Sequence, residues 1–164
     1  MFTDPQTAAA EALLEACRRE GLKLATAESC TGGLIAGLLT SISGASDVFE
    51  RGFVTYTNQA KTENLDVPAA LFDDGRPGAV SEEVARSMAE GALKHSAAEI
   101  AVAVTGIAGP DGGTEEKPVG LVHFGAARAG KVTVLATPVF VGGRDAVRMQ
   151  SVDAAVKLAR ELAG

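Results

Sequence analysis

Ser29 and Cys30 stand side by side in Leu-Lys-Leu-Ala-Thr-Ala-Glu-Ser-Cys-Thr-Gly-Gly-Leu-Ile-Ala-Gly-Leu-Leu, residues 22–39, where a short apolar run meets an apolar helical pattern. Two side chains capable of nucleophilic attack matter at such a junction. The first turn of a helix leaves backbone N–H groups without intrahelical acceptors, and these hold an anion or a developing oxyanion. Gly32 and Gly33 let a ligand come close to the backbone. The same residue types would also serve a purely structural end, with Ser29 as an N-cap and the glycines for tight packing.

A nucleophile needs a base. His95 and His123 fall at an expected helix end and in an expected strand interior, with no acidic orienter near either in sequence, so a Ser-His-Asp arrangement is not expected. A lysine desolvated in a closed site loses its proton near neutral pH and can act instead. Lys61 is the best candidate, just past the end of the Tyr56-Thr57-Asn58 strand, although a surface lysine is the alternative. Lys23, Lys94, Lys131 and Lys157 read as solvated, and Lys117 sits in a charged loop. Cys30 as a thiolate, its pKa lowered by a helix N-terminus, is a rival. Cys17 lies on an apolar stripe and reads as a small buried hydrophobe.

Arg144 and Arg148 are i and i+4 at an expected helix start, a geometry that suits phosphate; the alternative is a solvated face with Asp145 and Asp153 as partners. The acidic residues are scattered and no His/Cys/Asp cluster has ligand spacing, so no metal site is expected.

These residues need elements to position them. Asp4 before Pro5 reads as an N-cap opening an amphipathic helix that runs to Gly21. A buried strand over 23–27 leads into a helix with Leu34, Ile35, Leu38 and Leu39 on its core stripe, ended by residues 43–46. Residues 49–57 read as a strand, and Asn58 as the cap of a helix over 58–64. Ser81 caps a helix that ends at His95, and 100–105 is a near-continuous apolar strand. Residues 119–127 and 132–141 form an antiparallel hairpin about Ala129-Gly130, and the last helix runs over 144–162. The order α-β-α-β-α-α-β-β-β-α predicts a three-layer α/β/α sandwich around a mixed, mostly parallel sheet. Glycine-marked junctions at 29–33, 106–113 and 142–144 each follow an expected strand, and strands running the same way would gather them at one ligand crevice. The second is neither a Walker loop nor Gly-x-Gly-x-x-Gly.

The 164 residues fit one domain, 1–164, and no biased linker divides them. A net charge of −6 argues against a general nucleic-acid binder. No apolar run approaches the ~18 residues of a membrane span, and the start lacks a signal-peptide pattern. Two cysteines give no disulfide framework, so a cytoplasmic setting is expected.

Five ordered stretches resemble one family: Thr26-Ala27-Glu28-Ser29-Cys30-Thr31-Gly32-Gly33; Phe49-Glu50-Arg51-Gly52-Phe53-Val54-Thr55-Tyr56; Gly78-Ala79-Val80-Ser81; Thr105-Gly106-Ile107-Ala108-Gly109-Pro110-Asp111-Gly112-Gly113; and Lys117-Pro118-Val119-Gly120. Together they resemble the C-terminal domain of the CinA (competence-damage-inducible) family, the nicotinamide mononucleotide deamidases. The resemblance implies a bacterial cytoplasmic amidohydrolase converting nicotinamide mononucleotide and water to nicotinic acid mononucleotide and ammonia, with no metal or cofactor. It implies Ser29 as nucleophile, Lys61 as base and Tyr56 as a partner in the proton network. Substrate contacts would come from Cys30, Thr31, Gly32 and Gly33, from Thr105, Gly106, Gly109 and Gly112, and from Arg144, with the phosphate against the glycine loop or Arg144. It further implies a homodimer or larger assembly. Many members carry an additional N-terminal domain associated with pyrophosphatase activity, which is not carried over. The competing expectation is a catalytically silent nucleotide-binding or regulatory module of the same fold.

Overall fold

The structure, a computed structural model, describes residues 2–164. The first helix, α1 (Asp4–Glu20), is capped by Thr3 rather than Asp4: Thr3 and Gln6 form a capping box, which leaves Asp4 and Pro5 inside the first turn. Strand β1 (Leu24–Glu28) is buried along its whole length. Helix α2 (Leu34–Thr40) starts with the first residue of its apolar stripe and not directly after a Ser29 cap, because Gly32 (φ 59°) and Gly33 (φ 97°) sit in the left-handed region, where helix cannot propagate.

Strand β2 (Phe49–Val54) precedes α3 (Asn58–Leu65), whose cap is Thr57 and not Asn58; the Thr57 side chain accepts from the Ala60 N–H. Ser81 caps α4 (Glu82–Lys94) through the Val84 N–H, with Glu82 and Glu83 in the first turn. Strand β3 (Ile100–Gly106) leads into β4 (Val122–Arg128) and β5 (Val134–Ala136). This hairpin is shorter than the sequence predicts. Pro138 has no N–H for the ladder and Gly120 turns at φ 94°, so only an isolated Leu121–Val139 bridge prolongs it. Helix α5 (Arg144–Ala163) closes the fold.

The sheet order is β2-β1-β3-β4-β5, with β2, β1 and β3 parallel and β4 antiparallel to both of its neighbours. Hence β5 runs with the parallel set. One face carries a core of α1, α2 and α5 residues such as Leu14, Leu38 and Val152; the other is built around α4, with Met88 and Val84 over Ala101 and Ala103. The result is the three-layer α/β/α sandwich with a mixed, mostly parallel sheet that the element order predicts. The segments following β1, β2, β3 and β5 therefore lie at one end of the sheet. No helix among the described residues is long and apolar enough to cross a membrane.

Candidate active site

Ser29 follows β1 directly, and its N–H is fixed by the Val104 carbonyl of β3. Thr55 is tied to the same strand end by its N–H on the Glu28 carbonyl. Lys61, in α3, reaches back between them: Nζ lies 2.9 Å from Ser29 Oγ and 2.8 Å from the Thr55 carbonyl oxygen. The lysine side chain is 1% exposed. Burial costs the charged form its hydration, and it pushes the Lys61 pKa down from 10.5 to about 8; the only opposing pull is from Cys30. A lysine at about 8 is roughly one-tenth neutral at pH 7, about three hundredfold more than an ordinary lysine.

Burial acts oppositely on Cys30. Its thiol is pushed up to about 11 by desolvation, which outweighs the pull of its own N–H, Lys61 and the Thr31 N–H. The expectation that a helix N-terminus would lower this pKa fails for a physical reason: α2 begins at Leu34, and its first N–H groups face a different acceptor. That acceptor is Glu28, fully buried at the end of β1. Its Oε2 accepts from the Gly33 and Ile35 N–H groups at 3.0 and 3.1 Å, and Oε1 from Ala36 at 2.8 Å. A carboxylate thus takes the place of a side-chain N-cap and occupies the site that the sequence assigned to a ligand.

Residues 29–32 form a turn closed by the Gly32 N–H on the Ser29 carbonyl. Among the described residues, the N–H groups of Cys30 and Thr31 inside it have no backbone acceptor. Arg148 spans the outer side, with Nε donating to the Cys30 carbonyl at 3.1 Å and Nη2 to the Thr31 carbonyl at 3.0 Å. Arg148 is therefore not on a solvated face. Asp145 is 4.0 Å away and 97% exposed, and Asp153 instead accepts from Gln6.

A pocket of about 210 Å³ opens above Ser29 and Lys61. Cys30, Tyr56, Thr105, Gly106 and Arg144 line it with Ala79, Val80 and Ala108. It falls below the ~300–1,000 Å³ of sites that enclose drug-sized ligands, so it holds a small group and leaves the rest of a larger ligand at its rim. Arg144 stands on that rim, donating to the Gly109 carbonyl and to the Tyr56 hydroxyl, each at 2.8 Å. Tyr56 is 58% exposed, and its hydroxyl pairs with Arg144 rather than with Ser29 or Lys61. Thr105 donates to the Ala79 carbonyl, and Lys117 spans to the Pro77 and Val80 carbonyls, so both hold the pocket wall. Of the other expected substrate contacts, Thr31, Gly32, Gly33, Gly109 and Gly112 are not among the lining residues, and Gly32 and Gly112 are exposed. Neither histidine lines the pocket: His95 contacts Asp66, and burial lowers the pKa of His123 on β4. Among the described residues no group of three or more His, Cys, Asp or Glu side chains converges as metal ligands would.

Sequence reasoning missed Glu28 and Arg148 in these roles. A signal for the first was present, since a carboxylate ending a buried strand must find donors. For Arg148 nothing short of the fold places it over residues 30–32.

Residues 6–163 match the family model described as the CinA C-terminal domain. The nicotinamide-nucleotide amidohydrolase PncC of Escherichia coli (strain K12) is 50% identical over 137 residues, covering 84% of this chain and 82% of that protein. A CinA-like protein of Colwellia psychrerythraea is 57% identical over 119 residues. That alignment covers 73% of this chain and 27% of the relative. The chain spans about a quarter of the length of several such curated relatives, 26–28%. The crystal structure of the competence/damage inducible protein CihA from Agrobacterium tumefaciens superposes with a TM-score of 0.96 at 44% identity, covering 100% of this chain and 99% of the other.

Proposed function

Because this chain belongs to the CinA C-terminal domain family, we propose that it hydrolyses nicotinamide mononucleotide to nicotinic acid mononucleotide and ammonia, with Ser29 as nucleophile and Lys61 as base. The observation that carries the proposal is the 2.9 Å contact between Ser29 Oγ and a buried lysine whose pKa falls to about 8. The name of the Escherichia coli relative supplies the substrate.

Neutral Lys61 takes the Ser29 proton as Oγ bonds to the carboxamide carbon. Charge gathers on the carbonyl oxygen, and the open N–H groups of Cys30 and Thr31 are its donors in this scheme. The Lys61 ammonium then protonates the amide nitrogen, the C–N bond breaks and ammonia leaves. Water attacks the acyl carbon and gives its proton to Lys61, which returns a proton to Oγ as the ester breaks. The phosphate lies at the rim on Arg144 or the glycine loop, where Thr105, Gly106, Gly109 and Gly112 belong to the substrate side. A phosphate that takes Arg144 frees the Tyr56 hydroxyl for the proton network. The same reading treats 1–164 as one amidohydrolase domain acting in the cytoplasm as a homo-oligomer, with neither a nucleic-acid nor a membrane partner.

The test is ammonia release from nicotinamide mononucleotide by the wild type, Ser29→Ala, Cys30→Ala and Lys61→Ala, with and without chelator. Loss in Ser29→Ala and Lys61→Ala, unaffected by chelator, is expected. Turnover retained in Ser29→Ala, or loss confined to Cys30→Ala, overturns the scheme.

A further inference from the structure

We infer that Arg148 is a positioning residue for the reaction: its guanidinium fixes the Cys30–Thr31 peptide so that the Thr31 N–H faces the reacting carbonyl, an inference that rests on the Ser29 reading above. A trans peptide carries its C=O and the following N–H on opposite sides. Drawing the Cys30 carbonyl toward α5 at 3.1 Å therefore turns the Thr31 N–H away from α5. The neighbouring peptide obeys the same rule. Its Thr31 carbonyl meets Arg148 Nη2 at 3.0 Å, and its Gly32 N–H points the other way, onto the Ser29 carbonyl at 3.0 Å.

Three further observations place the turn between two holds. Gly32 takes the left-handed conformation (φ 59°) that lets the turn close on the Ser29 carbonyl beside the guanidinium. The far end of the turn is anchored where the Glu28 carboxylate accepts from Gly33, Ile35 and Ala36. Cys30, whose carbonyl Arg148 holds, lines the pocket, so the peptide fixed by the guanidinium borders the site. The Thr31 N–H thus points away from the α5 side, where the Cys30 and Thr31 carbonyls and the guanidinium sit. An arginine rather than a lysine suits the task, because its planar fork meets two successive carbonyls at fixed angles.

Arg148→Met tests this, measured for kcat, KM and melting temperature, beside Arg148→Ala with and without added guanidinium. Removing a whole oxyanion donor costs roughly 10²–10³-fold in kcat, and misaiming one costs less, so a loss of about 10- to 100-fold is expected. KM should stay within about twofold, and guanidinium should restore part of kcat to Arg148→Ala. The amide resonances supply a readout without substrate: the Thr31 N–H should shift in Arg148→Met while amides of α4 do not. A raised KM with kcat kept assigns Arg148 to the phosphate and overturns the inference. A lowered melting temperature with both constants kept does the same. If the wild type releases no ammonia, the Ser29 reading fails on its own account. The resonances then decide, and an unmoved Thr31 amide overturns the hold of Arg148 on the peptide.

Discussion

Lys61 Nζ sits 2.9 Å from Ser29 Oγ and 2.8 Å from the Thr55 carbonyl, so the buried amine has a hydroxyl on one side and an acceptor that steadies it on the other. The Thr55 carbonyl orients the nitrogen, and burial, by disfavouring the ammonium, makes it a base.

The activity should therefore follow Lys61 deprotonation. Only the neutral amine accepts the Ser29 proton, so kcat/KM should rise with pH through an apparent pKa of about 8 and level off above it. A pH profile from 6 to 10 checks this, and a rate that falls over that range contradicts it. Lys61→Arg should lose the activity throughout, because a guanidinium stays charged.

The depressed pKa also has a cost in stability. Between about 8 and 10.5 the unfolded chain binds more protons at Lys61 than the folded one, so folding stability contributed by this group rises with pH over that window. Below it the penalty is fully present, about 3 kcal/mol at most by linkage. Lys61→Met removes that penalty and leaves the Thr55 carbonyl without its donor, a loss of about 1–3 kcal/mol. The variant should thus be inactive yet at least as stable as the wild type at pH 7, with its relative advantage shrinking toward pH 10. Chemical denaturation at both pH values measures this, and a variant much less stable at pH 7 contradicts it.

Cys30 should behave as an inert neighbour. With a pKa near 11 its thiolate fraction at pH 7 is about one in ten thousand, so alkylation by iodoacetamide should be far slower than that of a free thiol. Cys30→Ala should keep most of the turnover, since the backbone N–H survives. Rapid labelling with loss of activity would restore the thiol as a rival.

The order of the ten main elements is legible in the sequence because each is marked locally: the apolar run of 100–105, the Ser81 cap with its two glutamates, the turn at Gly130. Strand directions follow, and they gather the three glycine-marked junctions at one end. Setting the histidines aside singles out Lys61 as the candidate base but leaves a surface lysine as the alternative and Cys30 as a rival to Ser29; the pairing itself is what the family resemblance implies. What stayed hidden depends on three-dimensional neighbours. Ser29 does not serve as the N-cap of α2 because positive φ at two successive glycines, a backbone fact, intervenes, and the group that does serve was missed because Glu28 lies five to eight residues before the N–H groups it meets. Arg148 contacts carbonyls more than a hundred residues away in sequence, beyond any local pattern.

Glu28→Gln should be markedly destabilising. It keeps one carbonyl oxygen for three N–H groups, replaces the other with a donor, and removes the negative charge from a helix N-terminus. A loss of about 2–3 kcal/mol is expected from the unmet buried donors and the lost charge-assisted bonds. Urea unfolding checks it. A change below about 0.5 kcal/mol would mean that the carboxylate is not what holds α2 in place.

The covalent intermediate tests the central claim most directly. Rapid acid quench of the wild type turning over nicotinamide mononucleotide, followed by peptide mass mapping, should find the acyl group on Ser29, in the peptide that also contains Cys30, with fragmentation placing it on the serine. An adduct on Cys30, or steady ammonia release by Ser29→Ala at the wild-type rate, would contradict the account.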